Sequence, residues 1–338
     1  MIKRKIVVTT GSRSDYGLLR PILHNISINK NLELYLIVTG THLSKQHGLT
    51  IKEIKKDGFK IYSTFKMLPK NDIDYNISEM IGYGIIHFSK IFQKIRPDIN
   101  LVLGDRDEML SSTIAAYHMN IPNAHIHGGD VSGGIDEYTR HAITKISNIH
   151  FASTKKSMNR ILKMGENPKY VFNTGSPAVD EILDQRITTK KELNLKYNLD
   201  LNGNEIILLY HPVTTQSNLS ELQIKNILNV LNKLNKVIIV IGPNSDLGNT
   251  SILKQIKFFA KNNSLIKLYP NLPRSDYLGL LKNVKILVGN SSSALIEASY
   301  FNVKVVNIGI RQKGREKGPN VIDANNDINS IKNSIEYA

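Results

Sequence analysis

The sequence predicts an α/β protein of two halves, each a parallel sheet with helices packed on both faces. Three observations carry that expectation. Short apolar runs alternate with helix-length periodic segments nearly from end to end, which is the rhythm of repeated strand–helix–strand units. The 338 residues are more than one core comfortably organises, and they suit two domains of ordinary size. Between about residues 184 and 204 the composition turns polar and charged, through Asp184-Gln185-Arg186, Lys190-Lys191-Glu192 and Asn202-Gly203-Asn204. That stretch marks the boundary region, and the domains are expected at 1–180 and 181–338.

The first-half strands are expected at Lys5–Thr9, Leu34–Val38, Ile99–Leu103, Asn123–Ile126 and Ile149–Ala152. In the second half they are Glu205–Tyr210, Val237–Ile241, Leu265–Leu268, Ile286–Val288 and Val305–Ile308. Runs that are apolar without alternation belong to strands buried on both faces. Leu222, Ile224, Ile227, Leu228 and Leu231 recur at three- and four-residue spacing, as a helix face does. Thr50 followed by Glu53 reads as a capping box at a helix start. The basic N-terminus followed by Ile6–Val8 is too short in its apolar part for a signal peptide, so it reads as the first strand.

Composition narrows the function classes. No apolar run approaches the ~20 residues of a membrane helix, so no membrane partner is expected. Cysteine is absent, which excludes disulfides and thiol catalysis and fits a reducing cytoplasm, the expected location. The formal charge is +15, with lysines scattered along the chain rather than grouped in a stripe. Without zinc-finger spacing or an RNA-binding aromatic motif, this reads as a solvated surface that favours anionic ligands, not as a nucleic-acid site.

In open parallel sheets, ligands bind beyond the carboxyl ends of the strands. Seven polar or glycine-rich clusters fall at those places: Gly11–Gly17, Thr39–His42, Gly104–Glu108, His127–Asp130, His211-Pro212, Gly242–Asn244 and Gly289–Ser293. Seven such loops over two halves point to one shared cleft. Gly289-Asn290-Ser291-Ser292-Ser293 leaves a strand and enters a helix, where small residues and hydroxyls suit a phosphate. The plain structural reading is a Ser N-cap with a tight turn. Glu297, one turn on, is placed to accept from sugar hydroxyls. Arg13, Arg106 and Arg311 stand at strand exits, and guanidinium matches phosphate with paired hydrogen bonds.

Carboxylates gather mid-chain: Asp105, Asp107, Glu108, Asp130, Asp136 and Glu137. Acid–base chemistry at a sugar carbon needs such groups. Asp105 follows a strand and a glycine, so it either reaches the cleft or caps a helix. His125 and His127 are expected on one side of a strand. A zinc pair is conceivable at that spacing, but no partner ligand accompanies them, so no metal is expected. No Gly-x-Ser-x-Gly elbow occurs, which removes a serine-hydrolase triad.

Together these residues resemble the hydrolysing UDP-N-acetylglucosamine 2-epimerases that open sialic-acid biosynthesis. The markers are Gly11-Ser-Arg-Ser-Asp-Tyr-Gly17, Gly104-Asp-Arg106, His125-Ile-His-Gly-Gly129, Ile135–Lys145, Gly175-Ser-Pro177, His211–Thr215, Pro243–Asp246, Gly289–Ser292 and Asn307–Arg315. They run in order from about Ile6 to Val321.

The resemblance implies two Rossmann-like domains in a glycosyltransferase-B-like arrangement with an interdomain cleft, the last helix packing back on the first domain. It implies conversion of UDP-GlcNAc and water to N-acetylmannosamine and UDP, through elimination to a glucal and re-addition of water. No cofactor and no metal are implied, and a homodimer or homotetramer is expected. Residue by residue, Arg13, Ser14, Arg106, Asn244, Ser291, Ser292, Glu297 and Arg311 look like the UDP-binding set, and Asp105, Asp136 and His211 like catalytic groups. His127 stands where the family carries a glutamate, and Asp130, three residues on, is placed to share its role. A related branch acts on 2,4-diacetamido-2,4,6-trideoxy sugar nucleotides on the legionaminic-acid route, and this remains the alternative substrate. A glycosyltransferase of the same fold and a non-catalytic nucleotide-sugar sensor are the other readings.

Overall fold

The computed structural model of the protein describes residues 3–45, 48–67, 77–132, 136–184, 186–244, 246 and 248–338. Ile135, Gln185 and Ser245, which fall in stretches singled out above, lie outside them. The chain divides into two compact units, Met1–Val131 with Ile135–Glu181 and Ile182–Ala338 with Ser132–Gly134.

The first unit holds seven strands: β1 Arg4–Thr10, β2 Leu32–Val38, β3 Ile61–Thr64, β4 Ile99–Leu103, β5 Asn123–Ile126, β6 Ile149–Ala152 and β7 Val171–Asn173. They lie in the order β3-β2-β1-β4-β5-β6-β7, every pair parallel. The second holds β8 Ile206–Leu209, β9 Ile238–Ile241, β10 Ile266–Tyr269, β11 Ile286–Gly289, β12 Lys304–Ile308 and β13 Val321–Ala324. Their order is β10-β9-β8-β11-β12-β13, again all parallel. Both sheets therefore run outward from a central strand in one direction and then in the other. That is the doubly wound Rossmann order, with its reversal between β1 and β4 and between β8 and β11.

The unbroken apolar runs are explained by two faces that are both buried. In the second sheet Ile206, Leu208, Ile238, Val240, Ile286 and Val288 enter one core. Their neighbours Ile207, Leu209, Ile239 and Leu287 enter the other. In the first sheet Ile6, Val8, Leu36 and Val38 face one core, and Val7 and Ile37 the opposite one. Each such side chain contributes roughly 1.5–3 kcal/mol of burial. β3, β7 and β13 were not expected from sequence. All three are short edge strands carrying polar residues and exposed positions, because an edge has less to cover it.

One local expectation changed. Thr50 does not form a capping box: its hydroxyl pairs with Nδ1 of His42 at 2.7 Å, and the backbone there is already helical. The last helix, Ile328–Tyr337, is capped by Asp327, whose carboxylate accepts from the Ser330 N–H at 2.8 Å. It buries Ile331 against helix Ser220–Leu231 and the β12–β13 edge. Among the described residues no helix is long and apolar enough to cross a membrane.

At the end of β11 the chain adopts φ +146° at Gly289, and a Cβ there would overlap the Leu209 carbonyl on β8. Only glycine combines that conformation with so close an approach. Gly289→Ala is therefore expected to destabilise the protein by about 3 kcal/mol or more. Urea denaturation checks this, and an unchanged midpoint would contradict the assignment.

Candidate active site

All seven sequence-predicted clusters follow the carboxyl ends of strands, four in the first unit and three in the second. The site residues accordingly form two groups, each built on its own sheet reversal.

In the second unit the reversal separates the chain leaving β8 from the chain leaving β11, and Asn290 ties the two together. Its Oδ1 accepts from the His211 N–H at 2.7 Å, and its Nδ2 donates to the His211 carbonyl at 2.8 Å. Its own carbonyl accepts from Gln312 Nε2 at 2.8 Å and from the Arg311 guanidinium at 3.3 Å. Asn290 is wholly buried, and each of these bonds replaces one lost to water. His211 and Arg311 are thus both tied to one buried asparagine, the residue that leads into Ser291 and Ser292.

A second asparagine orients the imidazole. The backbone N–H of Asn244 donates to Nδ1 of His211 at 3.0 Å, so in the neutral ring the proton sits on Nε2. Burial, followed by the Arg311 charge, pushes this histidine down to about 3. At neutral pH it is a hydrogen-bond donor through Nε2 and not a reservoir of imidazolium. Helix Ser293–Tyr300 begins beside it. The Ser291 hydroxyl and carbonyl already accept the Ser293 and Ala294 N–H groups, at 3.3 and 3.1 Å. What this helix start offers an anion is therefore its dipole together with the serine hydroxyls.

One turn into that helix, Glu297 is 6% exposed. Its Oε1 accepts from Arg274, and its Oε2 is buried without a hydrogen-bond partner. A buried carboxylate oxygen left unmatched is costly and is the natural acceptor for a ligand hydroxyl. Asn244 Oδ1 is likewise buried without a partner.

In the first unit the reversal lies between β1 and β4. Asp15 shapes the loop after β1, accepting from the Gly11 N–H at 2.9 Å, the Ser12 N–H at 2.8 Å and the Ser12 hydroxyl at 2.9 Å. Ser14 is exposed beside it, its hydroxyl 2.8 Å from that of Ser12. Glu108 lies beneath the loop, only 2% exposed, and a Cβ at Gly11 or Gly40 would overlap its carboxylate. Arg106 grips Glu108 with two hydrogen bonds of 3.1 and 3.2 Å, and Arg13 lies 3.2 Å from Glu53. Both arginines therefore have carboxylate partners inside their own unit, whereas Arg311 is seated on a carbonyl.

The acids differ in what they touch. Asp105 is ion-paired with Arg140, a 3%-exposed arginine that also donates to the Asp130 carbonyl at 2.9 Å. Asp130 Oδ1 accepts from the Ser153 and Ser157 hydroxyls, each at 2.6 Å, which makes it a tie to helix Lys155–Lys163. Asp136 is exposed at the start of helix Asp136–Lys145. Asp107, grouped with the acids from sequence but given no role, is raised by burial first and then by the Glu108 and Asp136 charges.

The two neighbouring histidines part company. His125 is buried in β5, donates from Nε2 to the Gly104 carbonyl at 2.8 Å, and is pushed by burial down to about 4. His127 lies beyond the strand end at φ +62°, with Nε2 3.2 Å from the Ser176 hydroxyl. The expected common side is lost because the left-handed residue turns the chain. A left-handed non-glycine residue is uncommon and clusters at functional positions. Among the described residues no group of three His, Asp or Glu is placed to hold a metal. Sequence reasoning missed Asn290 as the organising residue, and also Arg274 and Arg140. All three act on other protein groups, a role that leaves no motif.

Comparison with known proteins adds the following. Residues 24–338 match the family model described as UDP-N-acetylglucosamine 2-epimerase. A UDP-N,N'-diacetylbacillosamine 2-epimerase (hydrolyzing) of Legionella pneumophila is 37% identical over 99% of this chain and 89% of its own length. A GDP/UDP-N,N'-diacetylbacillosamine 2-epimerase (hydrolyzing) of Campylobacter jejuni is also 37% identical, over 99% and 88%. The crystal structure of UDP-GlcNAc 2-epimerase from Neisseria meningitidis bound to UDP-GlcNAc superposes with a TM-score of 0.84 at 18% identity, over 98% of this chain and 90% of that one. That likeness shows the two Rossmann-like domains.

The buried histidines give a pH signature. Below the ordinary value of 6.5 the unfolded chain protonates His125 and His211, while the folded protein resists until about 4 and about 3. The stability they contribute is present above 6.5 and is lost as pH falls through that window. Urea midpoints should decline between pH 7 and pH 4, and His125→Asn should flatten the decline. A variant profile as steep as the parent's would contradict the assignment.

Proposed function

Since the chain belongs to the UDP-N-acetylglucosamine 2-epimerase family, we propose that it is a hydrolysing 2-epimerase of a UDP-linked 2,4-diacetamido-2,4,6-trideoxy sugar. It consumes water and releases UDP and the free sugar inverted at C2. Sequence reasoning put UDP-GlcNAc first and this sugar second. The order changes on the two relatives that match almost end to end at 37% identity, both hydrolysing diacetylbacillosamine epimerases. Conversion of UDP-GlcNAc to N-acetylmannosamine is the second reading, favoured by the description of the family model itself.

A base takes the C2 proton while the C1–O bond to UDP breaks, leaving a C1=C2 double bond. Water then adds, its hydroxyl to C1 and a proton to the opposite face of C2. The second unit serves the nucleotide. His211 Nε2–H, the Ser291 and Ser292 hydroxyls and the Arg311 guanidinium meet the pyrophosphate as its charge grows on departure. Arg13, Ser14 and Arg106 add donors, Asn244 holds the His211 tautomer, and Glu297 accepts from the ribose.

The first unit serves the sugar. Asp105 is held in one orientation by Arg140, and Asp136 is unencumbered by burial. His127 places an imidazole where the family carries a carboxylate, 3.2 Å from the Ser176 hydroxyl. Asp130, engaged by two serines, acts on the position of this loop and of Arg140. The observation that carries the nucleotide half is the buried, unpartnered Glu297 Oε2 one turn from the serine cluster.

Two measurements test the reading. With no acceptor present, UDP release should be at least about tenfold more efficient (kcat/KM) from UDP-N,N'-diacetylbacillosamine than from UDP-GlcNAc. The reverse order would move the assignment to the second reading. Asp105→Asn should lower turnover by about 10²-fold or more while leaving UDP affinity within about threefold. A loss of UDP affinity as large as the loss of rate would refute its chemical role.

A further inference from the structure

Glu297 does not stand alone. Its carboxylate is shared between an oxygen that is already bonded and one that is not. Oε1 is ion-paired with the Arg274 guanidinium, while Oε2 is buried without a partner. Arg274 opens helix Arg274–Asn283 and crosses to helix Ser293–Tyr300 to make this pair. The guanidinium is itself braced, lying 5.7 Å over the ring of buried Tyr277, whose hydroxyl is bonded to the Ser293 side chain. The brace thus returns to the first residue of the helix that carries Glu297.

A carboxylate on a free side chain rotates about its last bond and presents either oxygen in any direction. A planar guanidinium held on a ring removes that freedom, because it fixes one oxygen and with it the plane of the other. The remaining oxygen can only accept. With no donor to it among the described residues, its fitting ligand is one that supplies neutral O–H groups at a set distance from an anion. The helix rise puts Glu297 about 6 Å along the axis from Ser293. That is the separation between the 5′-phosphate of a nucleotide and its ribose diol.

We propose that Arg274 is a positioning residue for sugar recognition in the nucleotide. By clamping Oε1 of Glu297 it presents Oε2 to the ribose 2′- and 3′-hydroxyls, so the protein selects ribonucleoside over 2′-deoxyribonucleoside diphosphates. The inference rests on the nucleotide reading above and adds a selectivity that the reading does not contain. Arg274 makes its contribution through Glu297 and need not touch the ligand.

The test compares UDP with 2′-deoxy-UDP by calorimetric titration of the full chain, for the parent, Arg274→Ala, Arg274→Lys and Glu297→Gln. The parent should prefer UDP by at least about tenfold. Arg274→Ala should weaken UDP several-fold while leaving 2′-deoxy-UDP nearly unchanged, so the ratio collapses toward one. Arg274→Lys should restore part of the ratio, and Glu297→Gln should mimic the alanine variant.

An arginine that merely supports the fold would weaken both ligands alike and keep the parent ratio, which would overturn the proposal. So would a parent protein that binds the two nucleotides equally. Absence of any UDP binding by the folded parent would overturn the nucleotide reading itself, and this inference with it. If Arg274→Ala fails to fold, a parent ratio preserved in Arg274→Lys and Glu297→Gln is the overturning result.

Discussion

The chemistry of this chain hangs on the point in each sheet where the strand order turns back. Helices following strands on one side of that point pack on one face, and those on the other side pack on the opposite face. Neither covers the strand ends at the reversal. In the second sheet that uncovered place is spanned by Asn290, whose side chain holds His211 by both backbone polar groups and whose backbone carbonyl accepts from Gln312 and Arg311. A glycine must precede it, since any Cβ at Gly289 would strike β8. In the first sheet the buried Glu108 plays the comparable part, filling the space left by Gly11 and Gly40 and holding Arg106.

These arrangements separate groups that organise from groups that stay available. Asp15, His42, His125, Glu108 and Asp130 are absorbed in hydrogen bonds that shape strand-exit loops. The deep burial of His125 and His211 removes them as carriers of positive charge near neutral pH. What remains at the exits is acceptors and donors with spare capacity: Glu297 Oε2, the Nε2 proton of His211 and the exposed carboxylate of Asp136. Three arginines are held in the same way: Arg106 grips Glu108 with two hydrogen bonds, and Arg140 and Arg274 are ion-paired with Asp105 and Glu297.

Much of this was legible in sequence, for identifiable reasons. Strands buried on both faces lose the alternation of a half-exposed strand, so β1, β4, β8 and β11 stood out as apolar runs. The edge strands β3, β7 and β13 did not, because Tyr62, Phe172 and Asp323 face outward and break the pattern. Polar or glycine-rich exits announced seven loops at strand ends, since a tight turn there needs particular residues. The pairings did not announce themselves. Thr50 carried a helix-start signature and was claimed by His42, 8 residues earlier in the chain. The spacing of His125 and His127 suggested one side, and a left-handed backbone at His127 undid it. Asn290, Arg140 and Arg274 act by contact with residues distant in sequence, and periodicity carries no information on such contacts.

In the proposed reaction the acids of the first unit remove and return the C2 proton of a UDP-linked sugar. Its most direct test is the isotope content of the product formed in deuterated water from UDP-N,N'-diacetylbacillosamine or UDP-GlcNAc without an acceptor. The expected product is a free sugar inverted at C2 and carrying one deuterium there, formed together with UDP. Sugar released with its C2 proton retained would contradict it, because hydrolysis or transfer at C1 alone never breaks the C2–H bond.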